Sequence, residues 1–287
     1  MNKLLPETSE HDYRNDRLDA ETPTLNASTA KELITRSPLH AWQFHPRLGG
    51  SERDGTVSTE NGSLIHALVL GAGRKIVAID GDDFRTKAAK EARAVALEAG
   101  QIPVIASKLK FAEATAAVLK RRIADLGVQL DGQSEVTGMW RSPEGVLCRC
   151  RFDHLPKEPS DILEFKTCES AHPQAIQRAI ELFGYDIAAA AYSEAHATIH
   201  PTPRPVRYRW IFAECEPPHA VTIVRFEGTM ATLGNRRWSR AKAIWQRCLA
   251  EGRWPGYTDG EIAVEASEWA IKRETEIEYN ANPPPEF

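Results

Sequence analysis

The sequence predicts one α/β domain: a central mixed sheet flanked by helices, with a helical N-terminal part. Three observations predict it. Apolar residues recur at helical spacing through the first 126 positions. The period then shortens to alternating runs across about 136–166. After that, helix, strand and helix signals succeed one another to about residue 250.

Residues 1–25 carry few apolar side chains and read as a flexible arm. Ser28 or Thr29 is placed to cap a short helix bearing Leu33 and Ile34, which stops before Ser37-Pro38. An apolar helix, Gly62–Leu70, holds one histidine, His66. Amphipathic helices follow at about 83–99 and 107–126, with Gln101–Ile105 as the break between them. Val136–Trp140, Val146–His154 and Ile162–Lys166 are strands, because Ser142-Pro-Glu-Gly145 and Pro156-Lys-Glu-Pro159 supply the turns of a meander. A helix covers about 173–197, strands cover Tyr208–Glu214 and Val221–Phe226, and a long helix covers Met230–Ala250. The segment 26–276 is thus a single domain, and 277–287, with three consecutive prolines, is a flexible tail.

Composition narrows the function. No apolar run approaches the roughly 20 residues that span a bilayer, and the N-terminus lacks a secretory leader, so a cytoplasmic protein with no membrane contact is expected. Five cysteines without a CxxC pair argue against a zinc knuckle, and Cys148 and Cys150, two apart on a strand, read as packing residues. A net charge of −4 excludes a uniformly basic surface but permits a local basic groove.

The chemistry concentrates in Arg151-Phe-Asp153-His154 and Asp161-Ile-Leu-Glu164-Phe-Lys166. Glu164 and Lys166 share a strand face, and a short hairpin brings Asp153 beside Glu164. Hard carboxylate oxygens suit Mg²⁺, with Mn²⁺ as a substitute, and a lysine stabilises developing negative charge. Alternating charges also describe a solvated strand face. Ile162, Leu163 and Phe165 make this strand apolar, however, and buried charges need partners or a metal.

These residues resemble the PD-(D/E)xK nuclease core, and the wider pattern is similar to the exodeoxyribonuclease VIII-like (RecE-type) phage exonucleases. The likeness runs over about 26–275. It includes Ser28-Thr-Ala-Lys-Glu-Leu33, Ser37-Pro38, Trp42, the His66 helix, Glu135, Cys148–Asp153, Glu164-Phe-Lys-Thr167, Trp254-Pro255 and Trp269. It implies His66, Asp153, Glu164 and the Phe165 carbonyl as metal ligands, Lys166 as the catalytic lysine, and Glu135 as an acid serving a second metal indirectly. It further implies processive digestion of linear double-stranded DNA from its ends in phage-type recombination, a ring-shaped homo-oligomer and a single-strand annealing protein as partner. A catalytically weakened DNA-binding protein of the same fold, or a restriction-like endonuclease, is the alternative. The family's Gln-x-x-x-Tyr motif is incomplete: Tyr192 is present, but Ala188 stands where glutamine is usual, with Tyr185 or Gln177 left to compensate. Four cysteines at iron–sulfur spacing are lacking, so no cluster is expected.

Basic clusters nominate DNA contacts: Lys108 and Lys110, Lys120-Arg121-Arg122, Arg204–Arg209 with Arg207 and Arg209 around Tyr208, and Arg236-Arg237 with Arg240 and Lys242.

Overall fold

A computed structural model describes residues 2–52, 60–157, 161–200 and 206–281. Its frame is a six-stranded sheet in the order β1-β4-β5-β6-β7-β8. The strands are β1 (Lys3–Leu5), β4 (Gln133–Arg141), β5 (Leu147–Leu155), β6 (Asp161–Cys168), β7 (Arg207–Glu214) and β8 (Val221–Arg225). β4, β5 and β6 form the expected antiparallel meander, whereas β6 and β7 run parallel. A parallel neighbour needs a crossover. It is supplied by α7 (Pro173–Phe183) and α8 (Tyr185–Ile199), separated by Gly184 in the left-handed conformation, φ 68°.

The sheet buries both faces. On one, Trp140, Phe152 and Trp210 pack with Leu33 of α2 (Ala27–Thr35), Ile187 of α8, and Trp238 and Trp245 of α9 (Gly228–Glu251). On the other, Leu163, Phe165 and Ile211 pack with Leu64 and Val69 of α4 (Glu60–Leu70) and with Leu119 and Ile123 of α6 (Ala106–Asp125). Burial on both sides is why β6 reads as a nearly continuous apolar run interrupted by Glu164.

The structure corrects several expectations. Residues before 26 are built into the fold, not a loose arm: β1 adds an edge strand to β4, and α1 (Glu10–Arg14) is capped by Ser9. Asp16, fully buried with φ 51°, meets the Arg149 guanidinium at 3.1 Å and accepts from the Thr24 N–H at 2.9 Å. Arg149 also donates to the carbonyls of Thr24 and Tyr13, at 2.6 and 3.1 Å. Polar and charged groups dock this segment, which is why its low apolar content misleads. The cap of α2 is Asn26, which accepts from the Thr29 N–H at 2.9 Å, rather than Ser28 or Thr29.

Gln101–Ile105 proves to contain β3 (Ile102–Ile105), paired in parallel with β2 (Ile76–Ile79) around α5 (Lys87–Glu98). α3 (Pro38–Phe44) starts at Ser37-Pro38. α10 (Glu268–Ala281) runs into the segment expected to be a tail, and residues 282–287 lie outside the described ones. Cys148 and Cys150 are buried in the larger core. No described helix is long and apolar enough to cross a membrane.

Candidate active site

The site forms where β5 and β6 part. Among the described residues their one register pair is His154 with Leu163, and the strands then separate towards Asp153 and Glu164. Backbone N–H groups freed at such a split need acceptors. Here the two carboxylates take that place. Phe165 N–H donates to Asp153 Oδ2 at 2.9 Å, and Asp153 N–H donates to Glu164 Oε1 at 3.2 Å. Two side chains that end a ladder are thereby fixed in position by it.

β4 contributes the third acid through strained backbone. Val136 and Phe152 belong to the larger core, whereas Ser134 bonds His154 at 2.8 Å and the Leu70 carbonyl on α4 at 3.1 Å. Residues two apart on a regular strand share a face. The alternation changes sides at Glu135, whose φ of 58° lies in the left-handed region that a non-glycine residue adopts at a cost. The resulting turn presents the Glu135 carboxylate to α4.

His66, in the second half of α4, receives both acids. Its Nε2 lies 3.3 Å from Asp153 Oδ2, and its Nδ1 lies 3.4 Å from Glu135 Oε1. One ligand atom from each of His66, Glu135 and Asp153 falls within 4.8 Å of the other two. Lys166 Nζ completes the group, 3.2 Å from Asp153 Oδ2 and 3.5 Å from Glu164 Oε2, above the Trp210 ring at 5.5 Å. Asp153, Glu164, Phe165, Lys166, His66, Glu135 and Tyr192 all line one cavity of about 460 Å³.

The carboxylates are electrostatically unequal. Burial disfavours the charged form of Asp153, but the Lys166 ammonium and the His66 ring outweigh it and hold that carboxyl well below the usual range. Burial and the charge of Asp153 push Glu164 well above it. Burial, again with Asp153, pushes Glu135 up. Burial opposes charge on Lys166 and His66 as well, yet Asp153 and Glu164 keep the lysine protonated, and Asp153 raises the histidine. The crowding therefore falls on Glu164 and Glu135, not on Asp153.

Sequence reasoning missed Arg151 and the N-terminal lining. Arg151 Nε holds Glu135 Oε2 at 2.7 Å, while Nη1 donates to the Thr8 carbonyl and to Thr137 Oγ1. Arg151 lies two residues before Asp153, so strand period alone could have nominated it. Tyr13 lines the cavity beside Tyr192, with which it shares a hydrogen bond, and burial pushes its phenol up to about 12.

Tyr192, itself expected to contact DNA, lines this cavity, but the other expected DNA contacts are not gathered there. Arg207 and Arg209 both hold Asp161 at the start of β6. Tyr208 is buried, edge-on to Tyr192 and Trp210. Arg237 pairs with the buried Asp186 at 2.9 Å, leaving Arg236 as its exposed neighbour on α9. Lys242 is buried between Glu144 and Glu194, at 2.6 Å from each. Arg122 donates to the Pro218 carbonyl. Arg204 lies outside the described residues. Ala188 packs against the larger core and Gln177 bonds Glu181 at 2.6 Å, whereas Tyr185 stacks on Trp210, the ring beneath Lys166.

The sequence profile of DUF3799, described as a PDDEXK-like domain of unknown function, matches residues 52–266. The chain belongs to this PDDEXK-like family. The matched span contains His66, Glu135, Asp153, Glu164 and Lys166. No curated protein matches the chain. Among solved structures, a "putative exonuclease" from Eubacterium rectale is 13% identical with a TM-score of 0.60, over 98% of this chain and 100% of its own. A phage related exonuclease from Haemophilus somnus is 13% identical with a TM-score of 0.30, over 66% and 95%. The first of these shares the fold across the whole chain. The PDDEXK-like assignment agrees with the mixed sheet and flanking helices described above.

Proposed function

We propose that this protein is a metal-dependent deoxyribonuclease that hydrolyses phosphodiester bonds of linear double-stranded DNA from its ends. The observation that carries the reading is the meeting of Asp153, Glu164 and Lys166 with His66 and Glu135 at the split between β5 and β6. The donor set fits a hard divalent ion: carboxylate oxygens and an imidazole nitrogen within bridging reach, beside carboxyls whose crowding a cation would relieve. His66, Asp153 and Glu135 would hold it, with Glu164 adjacent and the Phe165 carbonyl as the further ligand that the family resemblance implies. Bound there, Mg²⁺ or Mn²⁺ would supply Lewis acidity and lower the pKa of a coordinated water.

The protein's own groups do the remainder. Lys166 presents a fixed ammonium where charge develops on phosphate oxygens, and Asp153 and Glu164 hold it there. Arg151 fixes Glu135 against His66. The Phe165 N–H and Lys166 keep Asp153 ionised and aimed into the cavity.

The test is a time course on end-labelled linear duplex and covalently closed circular duplex with Mg²⁺, Mn²⁺, Ca²⁺ or chelator. Metal-dependent loss of linear DNA alone is the expected result. Cutting of closed circles would replace the exonuclease with an endonuclease. Ala188, which offers no polar group to phosphate, favours the second reading, a binding protein of the same fold. Retardation of DNA without cleavage in any metal would establish that reading instead.

A further inference from the structure

The cavity has a second charged group that the chemistry above does not use. Glu10 and Arg14 of α1 and Arg74, between α4 and β2, line its wall together with His66, Asp153 and Lys166. Glu10 Oε1 takes Arg14 Nε and Nη2 at 2.7 and 2.6 Å, and Glu10 Oε2 takes Arg74 Nε at 3.3 Å. Two guanidinium groups therefore share one carboxylate. The turn carrying Arg74 borders the site: a Cβ added at Gly73, whose φ is 105°, would be in ordinary van der Waals contact with Glu135, 3.8 Å from its Cγ.

We propose that Arg14 and Arg74 bind a backbone phosphate of the substrate strand, and that Glu10 occupies this place in the free protein. The proposal rests on the nuclease reading of the cavity and adds to it a gate at its wall. A guanidinium fork accepts a carboxylate or a phosphodiester through the same pair of oxygens, so one displaces the other without rebuilding the site. The need for such a pair follows from the charge of the cavity. Asp153, Glu164 and Glu135 would repel a polyanionic strand, and Lys166 and Arg151 already face those acids. Arg14 and Arg74 meet at the Glu10 carboxylate on the cavity wall, where an incoming strand would pass. All three side chains are partly exposed, at 36%, 27% and 20% for Arg14, Glu10 and Arg74, so the exchange is open to solvent.

The experiment measures equilibrium binding of a short labelled duplex in chelator, and KM and kcat on the same duplex with Mg²⁺. Glu10→Gln keeps the shape and removes the competing charge. It should tighten binding and lower KM about three- to tenfold. Arg74→Ala should weaken binding about tenfold and raise KM, and Arg74→Lys should recover only part of it. In the Glu10→Gln, Arg74→Ala double variant the gain from Glu10→Gln should shrink, because its beneficiary is gone. A purely structural Glu10 gives the opposite sign, since breaking its ion pairs would loosen α1 and weaken binding. The proposal is overturned if Glu10→Gln binds no tighter than the parent, or if Arg74→Ala binds equally well. Thermal unfolding separates a loss of fold from a loss of contact, and a weakened but fully folded Arg74→Ala with no rescue by lysine still supports a bidentate contact. Failure of the wild type to cleave would sink the nuclease reading alone, since the binding series decides this one without turnover.

Discussion

Asp153→Asn and Glu164→Gln make a paired test, because the structure separates two carboxylates that spacing treats alike. Asp153 is ionised against Lys166 and His66, at 3.2 and 3.3 Å. In chelator near pH 7.5, Asp153→Asn leaves the Lys166 ammonium without that partner, while the amide oxygen keeps the Phe165 N–H. A hydrogen bond to a charged group contributes about 1.5–3 kcal/mol, so the apo protein should lose about 2 kcal/mol. For a chain of this size that is roughly 4–8 °C in Tm. Glu164→Gln replaces a carboxyl whose charged form burial and Asp153 already disfavour, so its apo Tm should hold or rise. Mg²⁺ or Mn²⁺ at about a hundred times its Kd should then stabilise the wild type by roughly 2.7 kcal/mol. Asp153→Asn should lose most of that gain. His66→Ala should lose less, because a neutral imidazole holds a hard cation more weakly than a carboxylate does. The assay is thermal unfolding of the four proteins across a metal titration. Equal metal-induced shifts in wild type and Asp153→Asn would remove the metal from this site. A destabilised Glu164→Gln beside an unaffected Asp153→Asn would invert the assignment of charge.

Lys166→Ala should lower kcat by about 10²–10³ while DNA retardation persists, and near-normal turnover would show that the lysine is misassigned. Metal uptake should strengthen as pH rises, because Glu164, pushed up by burial and by Asp153, must release its proton to a cation; calorimetry in buffers of different ionisation heat should register that proton, and its absence would count against Glu164. Without metal the signs oppose: stability owed to neutral Glu164 is present at low pH and lost as pH rises through its raised pKa, whereas that owed to ionised Asp153 is lost as pH falls through its lowered one. Glu164→Gln should therefore flatten the alkaline side of the stability profile only. Arg149→Met should cost up to about 3–5 kcal/mol by leaving buried Asp16 with only its longer contacts to Arg47 and His45, at 3.6 and 3.5 Å, and a wild-type urea midpoint in that variant would refute the clamp.

The sheet was legible because burial on both faces writes itself as apolar runs, and because Ser142–Gly145 makes a turn by composition. Asp153, Glu164 and Lys166 followed from strand period once the hairpin was placed. His66 did not, since one histidine on an apolar helix looks like a core residue, and only the family resemblance singled it out. The N-terminal segment escaped because Asp16, Thr24 and Arg149 hold it by polar contacts that reach as far as 136 positions, from Arg149 to the Tyr13 carbonyl. β2, four residues without alternation, was too short to announce itself. The basic clusters misled for a related reason. A charge run shows where cations are, not which carboxylate has claimed them, and Asp161 lies 46 and 48 residues from Arg207 and Arg209. Glu135 supplies the last case: nothing in a glutamate foretells a left-handed φ.

Alternate residues of β5 tie these pieces together. Arg149 grips Asp16 and the Tyr13 carbonyl, Arg151 grips the Thr8 carbonyl and Glu135, and Asp153 meets Lys166 and His66. One strand face thus passes from a clamp on the N-terminal segment, through a bridge, to the carboxylate at the split. Arg151 makes the bridge matter, because its guanidinium is shared between the segment and the strained acid. If the clamp at Asp16 opens, Arg151 loses the Thr8 carbonyl and is left with Thr137 alone to steady it against Glu135. Asp153 keeps Lys166 and the Phe165 N–H, both supplied by β6, and stays in place. A loosened N-terminus should therefore degrade the Glu135 side of the site first, which places Tyr13, Arg14 and Glu10 within the functional wall of the cavity rather than at its periphery.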